Sequence, residues 1–104
     1  MKADAALAAL ADPQRRRAVE LLSRGPRRAG ELAEALGLSA PAMSRHLKTL
    51  KASGLVEETH PEFDARVRVY ALRREGLAAL KAWVDATDAL WAKQLRAFKV
   101  RMSE

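Results

Sequence analysis

Residues 31–56, ELAEALGLSAPAMSRHLKTLKASGLV, constrain this chain more than any other stretch. Leu32, Ala33 and Leu36 recur at the spacing of one helix face, and Gly37 then supplies a residue free to turn left-handed and stop the helix. Leu38 plugs the corner. Ser39 is placed to cap a second helix by accepting a backbone N–H bond. In that helix Met43, Leu47 and Leu50 share one stripe, while Pro41, Arg45 and Lys48 lie on the opposite face. A short helix, a glycine turn and a second helix with a cationic outer face predict a helix-turn-helix over residues 31–53. Its second helix is the one suited to enter the major groove of double-stranded DNA.

Charge placement supports that reading. The net charge is +6, and residues 13–51 hold nine Lys/Arg (15, 16, 17, 24, 27, 28, 45, 48 and 51) against three acids, Glu20, Glu31 and Glu34. That one segment therefore carries the whole excess, and the rest of the chain is balanced. A basic block around a helix-turn-helix is the electrostatic footprint of a DNA binder, whereas scattered arginines on solvated faces would be the plain alternative.

The flanking segments complete one domain spanning residues 1–104, long enough for a single modest core. Residues 3–11 form an alanine-rich helix with Leu7 and Leu10 on one side, too short to stand without a partner surface. Asp12-Pro13 restarts the chain with an N-cap and a proline at the first helical position, and this helix runs to about Ser23 on an apolar side of Ala18, Val19, Leu21 and Leu22. Arg15, Arg16 and Arg17 cannot all face one way; one is expected near DNA phosphate and the others beside acids or water. Before Glu31 there is no Ser, Thr or Asp cap, so Arg27 and Arg28 are candidates for the DNA backbone.

After the stop at Ser53-Gly54, residues 55–72 predict a two-stranded wing: Leu55–Thr59, a turn over Pro61–Ala65, then Arg66–Leu72. In the second strand Val67, Val69 and Ala71 alternate with Arg66, Arg68 and Tyr70, which predicts one buried and one basic face. Arg66 and Arg68 are then expected beside phosphates. A hairpin alone is not stable and must pack against the helix-turn-helix.

Residues 73 to about 99 predict the longest helix. Leu77, Leu80, Val84, Thr87, Trp91, Gln94 and Phe98 step by alternating threes and fours, widened by Trp83, Leu90 and Leu95. That seam exceeds what a small winged helix can cover, and it predicts a two-fold homodimer through the first and last helices (residues 1–12 and 73–104), with Leu7, Leu10, Leu80, Trp83, Val84, Thr87, Leu90, Trp91 and Phe98 at the interface. A long helix folded back on its own core is the alternative. Two copies would set their recognition helices about 34–36 Å apart and so read a palindromic operator.

The strings Leu10-Ala11-Asp12-Pro13-Gln14-Arg15-Arg16-Arg17, Gly30-Glu31-Leu32-Ala33-Glu34-Ala35-Leu36-Gly37-Leu38-Ser39 and Met43-Ser44-Arg45-His46-Leu47-Lys48-Thr49-Leu50-Lys51-Ala52-Ser53-Gly54-Leu55-Val56 closely resemble the ArsR-type winged-helix repressors, and the likeness extends over nearly the whole chain. The resemblance implies a mainly α fold with a small β-hairpin, in the order α-α-α-α-β-β-α, and a homodimeric transcriptional repressor. It also implies that the cap serine and the following recognition-helix residues, here Ser39, Ala40, Ala42, Ser44, Arg45 and His46, meet base edges. Lys48, Arg66 and Arg68 join them from the charge pattern. Ala40 replaces a glutamine often found in such repressors, so the operator sequence does not carry over.

The sensing side of the resemblance does not transfer. Members that bind soft metals carry two cysteines before the turn; here Ala33 and Ala35 stand there, and the chain has no cysteine at all. Asp85 and Asp88 lie on the last helix without a histidine, a poor transition-metal site. No metal or cofactor is expected. His46, on the flank of the buried stripe, suits a structural or phosphate-contacting role, and His60, with Glu58, Glu62 and Asp64, suits a solvated turn or a weak divalent-cation site. Two rivals stay open: an effector-responsive repressor that senses a small molecule, or a metal through Asp, Glu and His, and a protein-interaction module using the Trp83/Trp91 face. No nucleophile–base pair or phosphate loop points to catalysis, no membrane span is expected, and the cytoplasm is the expected location.

Overall fold

The computed structural model describes residues 2–60 and 66–103, with side chains over 3–60 and 66–101. In chain order its elements are α1 (Lys2–Ala9), α2 (Pro13–Leu22), β1 (Arg27–Arg28), α3 (Ala29–Leu36), α4 (Ala40–Ala52), β2 (Val56–Thr59), β3 (Val69–Leu72) and α5 (Arg74–Ser103). The fold is mainly helical with a small antiparallel sheet, but the order is α-α-β-α-α-β-β-α, one strand more than expected. That strand pairs Arg27 with Tyr70 and Arg28 with Val69, so the sheet runs β1-β3-β2. Both wing strands are also shorter than expected, and the turn over Pro61–Ala65 lies outside the described residues, with Glu62 and Asp64.

Local chemistry sets the helix ends. Asp12 Oδ1 accepts from the backbone N–H of Gln14 at 2.7 Å and of Arg15 at 3.3 Å, and Pro13 opens α2. Ser39 Oγ accepts from the Ala42 N–H at 3.2 Å to start α4. The α3 start, which lacks a short polar cap, uses a carboxylate instead: Glu31 Oε1 accepts from the Arg28 N–H at 3.2 Å, half of a capping box. Gly37 sits at φ 66, in the left-handed region, while Leu38 N–H reaches back to Ala33 C=O and Gly37 N–H to Glu34 C=O. This Schellman closure fixes the angle between α3 and α4.

The core sits beneath the helix-turn-helix. Leu32, Met43, Leu47, Leu50, Leu55 and Val56 are its largest fully buried side chains, each contributing about 1.5–3 kcal/mol by leaving water. The expected stripe on α4 is therefore the buried one, and Leu38 packs against the same cluster.

On α1 the side buried within the single chain is Ala3, Ala6 and Ala9; Leu7, expected at a partner surface, is exposed, and Leu10, just past the helix, packs partly against the core. Small side chains at every third position let α1 lie close against α5, which offsets the marginal stability of an eight-residue helix. One expectation needs correction: Tyr70, expected on the basic outer face, is only 7% exposed. Cross-strand partners share a face, and Val56↔Leu72 and Glu58↔Tyr70 place the Tyr70 side of β3 toward the core. Val69 and Ala71 are half-buried on the other face.

The chain is elongated, 68 × 27 × 23 Å, with a radius of gyration of 18.2 Å against about 13 Å for a compact domain of this length. The cause is α5, thirty residues long. Leu77 packs on the core, Leu80 and Trp83 are half-buried, and beyond them the helix leaves the body of the protein.

Candidate nucleic-acid interface

Helix α4 presents Ala40, Pro41, Ser44, Arg45 and Lys48 to solvent, opposite the buried Met43, Leu47 and Leu50. The thirteen residues of α4 span about 20 Å, enough to lie along a major groove. Ser39 is exposed, and its hydroxyl already accepts the Ala42 N–H, which leaves its proton and one lone pair to offer a partner. Ala42 and His46 are half-buried on the helix flank. Thr49 Oγ1 donates back to the Arg45 carbonyl at 3.2 Å, which keeps that polar side chain on the helix.

His46 faces the start of α2. Arg15 Nη1 lies 3.4 Å from His46 Nδ1, Arg15 Nε donates to the Ala9 carbonyl at 2.6 Å, and Arg15 Nη1 stands 3.9 Å from Asp12 Oδ2. Arg16 Nη1 donates to the carbonyls of Leu10 and Ala11 at 2.8 and 3.2 Å. Arg15 and Arg16 therefore close the carboxyl end of α1, where orphan carbonyls and the helix dipole favour cations. Arg15 beside Asp12 and the exposed Arg17 match the expected acid and water partners, while the backbone carbonyls taken by Arg15 and Arg16 were not expected. Arg17 is exposed and lines a cleft with Glu20, Arg24 and Leu36 on the side of α2 and α3.

Arg66 and Arg68 are both exposed on the approach to β3. Arg68 is drawn toward α4 by Glu58, which was expected in a solvated acidic turn or a weak cation site with His60 and instead lies half-buried in β2. Glu58 Oε2 accepts from Lys51 Nζ at 3.2 Å, and Oε1 lies 3.5 Å from Arg68 Nε and 3.9 Å from His60 Nε2. Burial pushes the Glu58 carboxyl up, but the Lys51 hydrogen bond and charge, the Arg68 charge and a Tyr70 hydrogen bond outweigh it and hold it below 4.5. Burial and the Glu58 charge together raise the Tyr70 phenol. Lys48 and Lys51, one turn apart on α4, were the sequence signal for this cluster; their acidic partner arrives only by folding. His60 Nδ1 also lies 3.1 Å from the Val67 carbonyl, across the base of the wing. Among the described residues, no group of His, Cys, Asp and Glu could hold a metal ion, and no helix is long and apolar enough to cross a membrane.

A helix-turn-helix with a cationic outer face, flanked by a basic wing, is the geometry of a winged DNA-binding domain. The family described as bacterial regulatory protein, arsR family, matches residues 12–58, from the cap of α2 to the wing. An HTH-type transcriptional regulator of Mycobacterium tuberculosis is 43% identical over 95 residues, covering 91% of this chain and 83% of that protein. The chain belongs to the ArsR family. Among solved structures, an ArsR-like transcriptional regulator from Rhodococcus superposes with a TM-score of 0.78 at 30% identity, over 94% of this chain and 90% of that one. The homodimeric winged helix-turn-helix DNA-binding domain of a Mycobacterium bovis protein, described as a possible ArsR-family regulator, gives 0.67 at 27% identity, over 89% and 83%. As an ArsR-family member this chain is a DNA-binding transcriptional regulator of the winged type, and it lacks any cysteine for a thiolate metal site.

Proposed function

We propose that this ArsR-family protein is a repressor that binds a two-fold symmetric operator as a homodimer and excludes transcription from the promoter beneath it. The observation that carries the reading is the outer half of α5. Val84, Leu90, Trp91, Leu95, Phe98 and Val100 are 40–60% exposed there, on a helix that has left its own core. A groove of about 500 Å³ follows the same face, lined by Trp91, Gln94, Leu95, Ala97, Phe98 and Arg101. So large an apolar stripe needs a partner surface, and Leu7 of α1 is exposed as well. Helical pairing across a two-fold axis is self-complementary and buries the stripe in both copies. The M. bovis neighbour is homodimeric, which supports a homodimer here. On this reading Leu80, Trp83, Val84, Thr87, Leu90, Trp91 and Phe98 line the interface with Leu7 and Leu10. The recognition face comprises Ser39, Ala40, Ala42, Ser44, Arg45, His46 and Lys48, flanked by Arg66 and Arg68.

The test is selection of bound duplexes from random DNA, followed by sedimentation of the free protein and transcription from a promoter carrying the selected site. A palindromic consensus, a dimer at micromolar concentration and reduced transcript are expected. A half-site without symmetry, or a monomer bound to it, would overturn the reading. Arg45→Ala should then cost about 1–3 kcal/mol and relax one position of the consensus if Arg45 reads a base.

A further inference from the structure

Between α4 and the wing lies a cleft of about 200 Å³, lined by Ser44, Lys48, Lys51, Glu58, Arg68 and Tyr70. Its one acid is the most buried of the charged groups there. The Glu58 side chain is 12% exposed, while Lys51 and Arg68 are 55% and 65% exposed. The carboxylate thus joins a cation from the recognition helix to a cation from the wing, and both cationic groups stand between it and solvent. We propose that Glu58 is a positioning residue for DNA binding: it fixes Lys51 and Arg68 on opposite walls of this cleft so that one backbone phosphate is gripped by helix and wing together. The proposal rests on the DNA-binding reading and adds to it a defined phosphate seat and the residue that builds it.

Simple electrostatics gives the opposite expectation, which makes the idea decidable. An acid near DNA repels phosphate and neutralises neighbouring cations, so deleting its charge should tighten binding. Position argues otherwise. Three cations, Lys48, Lys51 and Arg68, share the cleft with one carboxylate, which leaves the cleft electropositive. Released from Glu58, Lys51 and Arg68 would repel each other and regain the rotamer freedom that long cationic side chains otherwise lose on binding. The Glu58–Tyr70 pairing in the sheet fixes the carboxylate itself, because Tyr70 is buried against the core. The device orders the cations before DNA arrives, and preorganisation raises affinity by lowering the entropy lost on association.

Fluorescence anisotropy with the selected operator, over a series of salt concentrations, tests this on the full chain. Glu58→Gln keeps the shape and removes the charge; it is expected to bind about three- to tenfold more weakly, with the slope of log K against log salt shallower by about one, as when a phosphate contact is lost. Glu58→Asp should retain most of the affinity. In a Lys51→Ala/Arg68→Ala background, Glu58→Gln should change nothing further. If Glu58→Gln folds poorly, the exposed-site variants Lys51→Ala and Arg68→Ala carry the test: two cations on one phosphate should lose less affinity together than the sum of their separate losses, and strict additivity would overturn the proposal. Tighter binding by Glu58→Gln with a steeper slope would show that Glu58 masks its cations, and would overturn the proposal. So would a loss of affinity with an unchanged slope, or a loss that persists in the double background, since either assigns Glu58 to folding alone. A parent protein that binds no duplex at all defeats the DNA-binding reading first.

Discussion

Replacing Gly76 by alanine sets two physical effects against each other, and the structure decides the sign. Gly76 is the third residue of α5, where alanine improves helix propensity by up to about 1 kcal/mol. A Cβ added there would lie 2.1 Å from the Gly54 carbonyl oxygen and 2.7 Å from its carbon, where ordinary contact begins at 3.4 Å. The obstacle is backbone and cannot swing aside. Gly54 belongs to the turn that closes α4, with its N–H on the Lys51 carbonyl and the Leu55 N–H on the Leu50 carbonyl. Arg73 N–H donates to the Leu55 carbonyl at 2.9 Å, so the start of α5 is tied to the same turn. Opening more than 1 Å of space means parting these bonds or sliding α5 off the core, an overpacking cost of about 1–3 kcal/mol or more. The net expectation is destabilisation of about 1–2 kcal/mol, a fall of at least about 4 °C in melting temperature. Gly30→Ala is the internal control. It sits in the first turn of α3, a Cβ there meets nothing within 4 Å, and the same substitution should leave stability unchanged or raise it. Both are read by thermal circular dichroism at one fixed protein concentration, since the proposed homodimer would make the midpoint concentration-dependent. Gly76→Ala melting at or above the parent would refute the close approach of α5 to the α4 turn.

Three other outcomes are expected. Leu47→Ala opens a cavity under the recognition helix, where Leu47 is fully buried, and should cost about 2–5 kcal/mol in urea unfolding; an unchanged midpoint would mean that α4 buries another face. Trp91→Glu places a charge in the apolar stripe of α5, where the indole is 58% exposed in the single chain, and should shift sedimentation to the monomer while leaving near-native helix content in residues 13–72. On acidification, Glu58 and Asp12 both titrate below their ordinary values, burial being outweighed by Lys51 and Arg68 at the first and by the Gln14 and Arg15 N–H groups at the second. A carboxyl depressed by folding contributes stability that is complete above its unfolded value and lost as pH falls through the folded one. Stability should therefore stay level from pH 7 to about 5 and drop below about 4.5, less steeply for Glu58→Gln; an identical acid limb in that variant would remove Glu58 from the account.

The helix-turn-helix was legible because its signals are local. Gly37 and Ser39 each act within four residues, and the apolar stripe of α4 repeats at the helical period, so pattern alone located both helices and the exposed cationic face. The strand β1 left no such trace: two arginines have no periodicity, and their pairing with β3 is decided more than forty residues away. Period-two alternation in β3 separated its two faces without saying which one turns inward. Tyr70 turns inward, where its ring joins the buried core cluster while its hydroxyl meets Glu58, a pairing that exists only after β2 and β3 align. The alanines of α1 were equally mute, since they matter for how near α5 can come and little for hydrophobicity. Of Arg15, Arg16 and Arg17 one was expected near phosphate, because the carbonyls that Arg15 and Arg16 meet lie at the end of α1 and in the turn after it, where no side-chain pattern marks them.

The free-standing half of α5 has a consequence for how the protein responds to its own abundance. An isolated helical segment of that length is only marginally formed in water. In the proposed homodimer a second copy would complete its coil-to-helix transition, so ellipticity should decline on dilution well before the globular body unravels. Low abundance would then leave recognition heads with frayed tails, and a rise in concentration would convert them into the paired species.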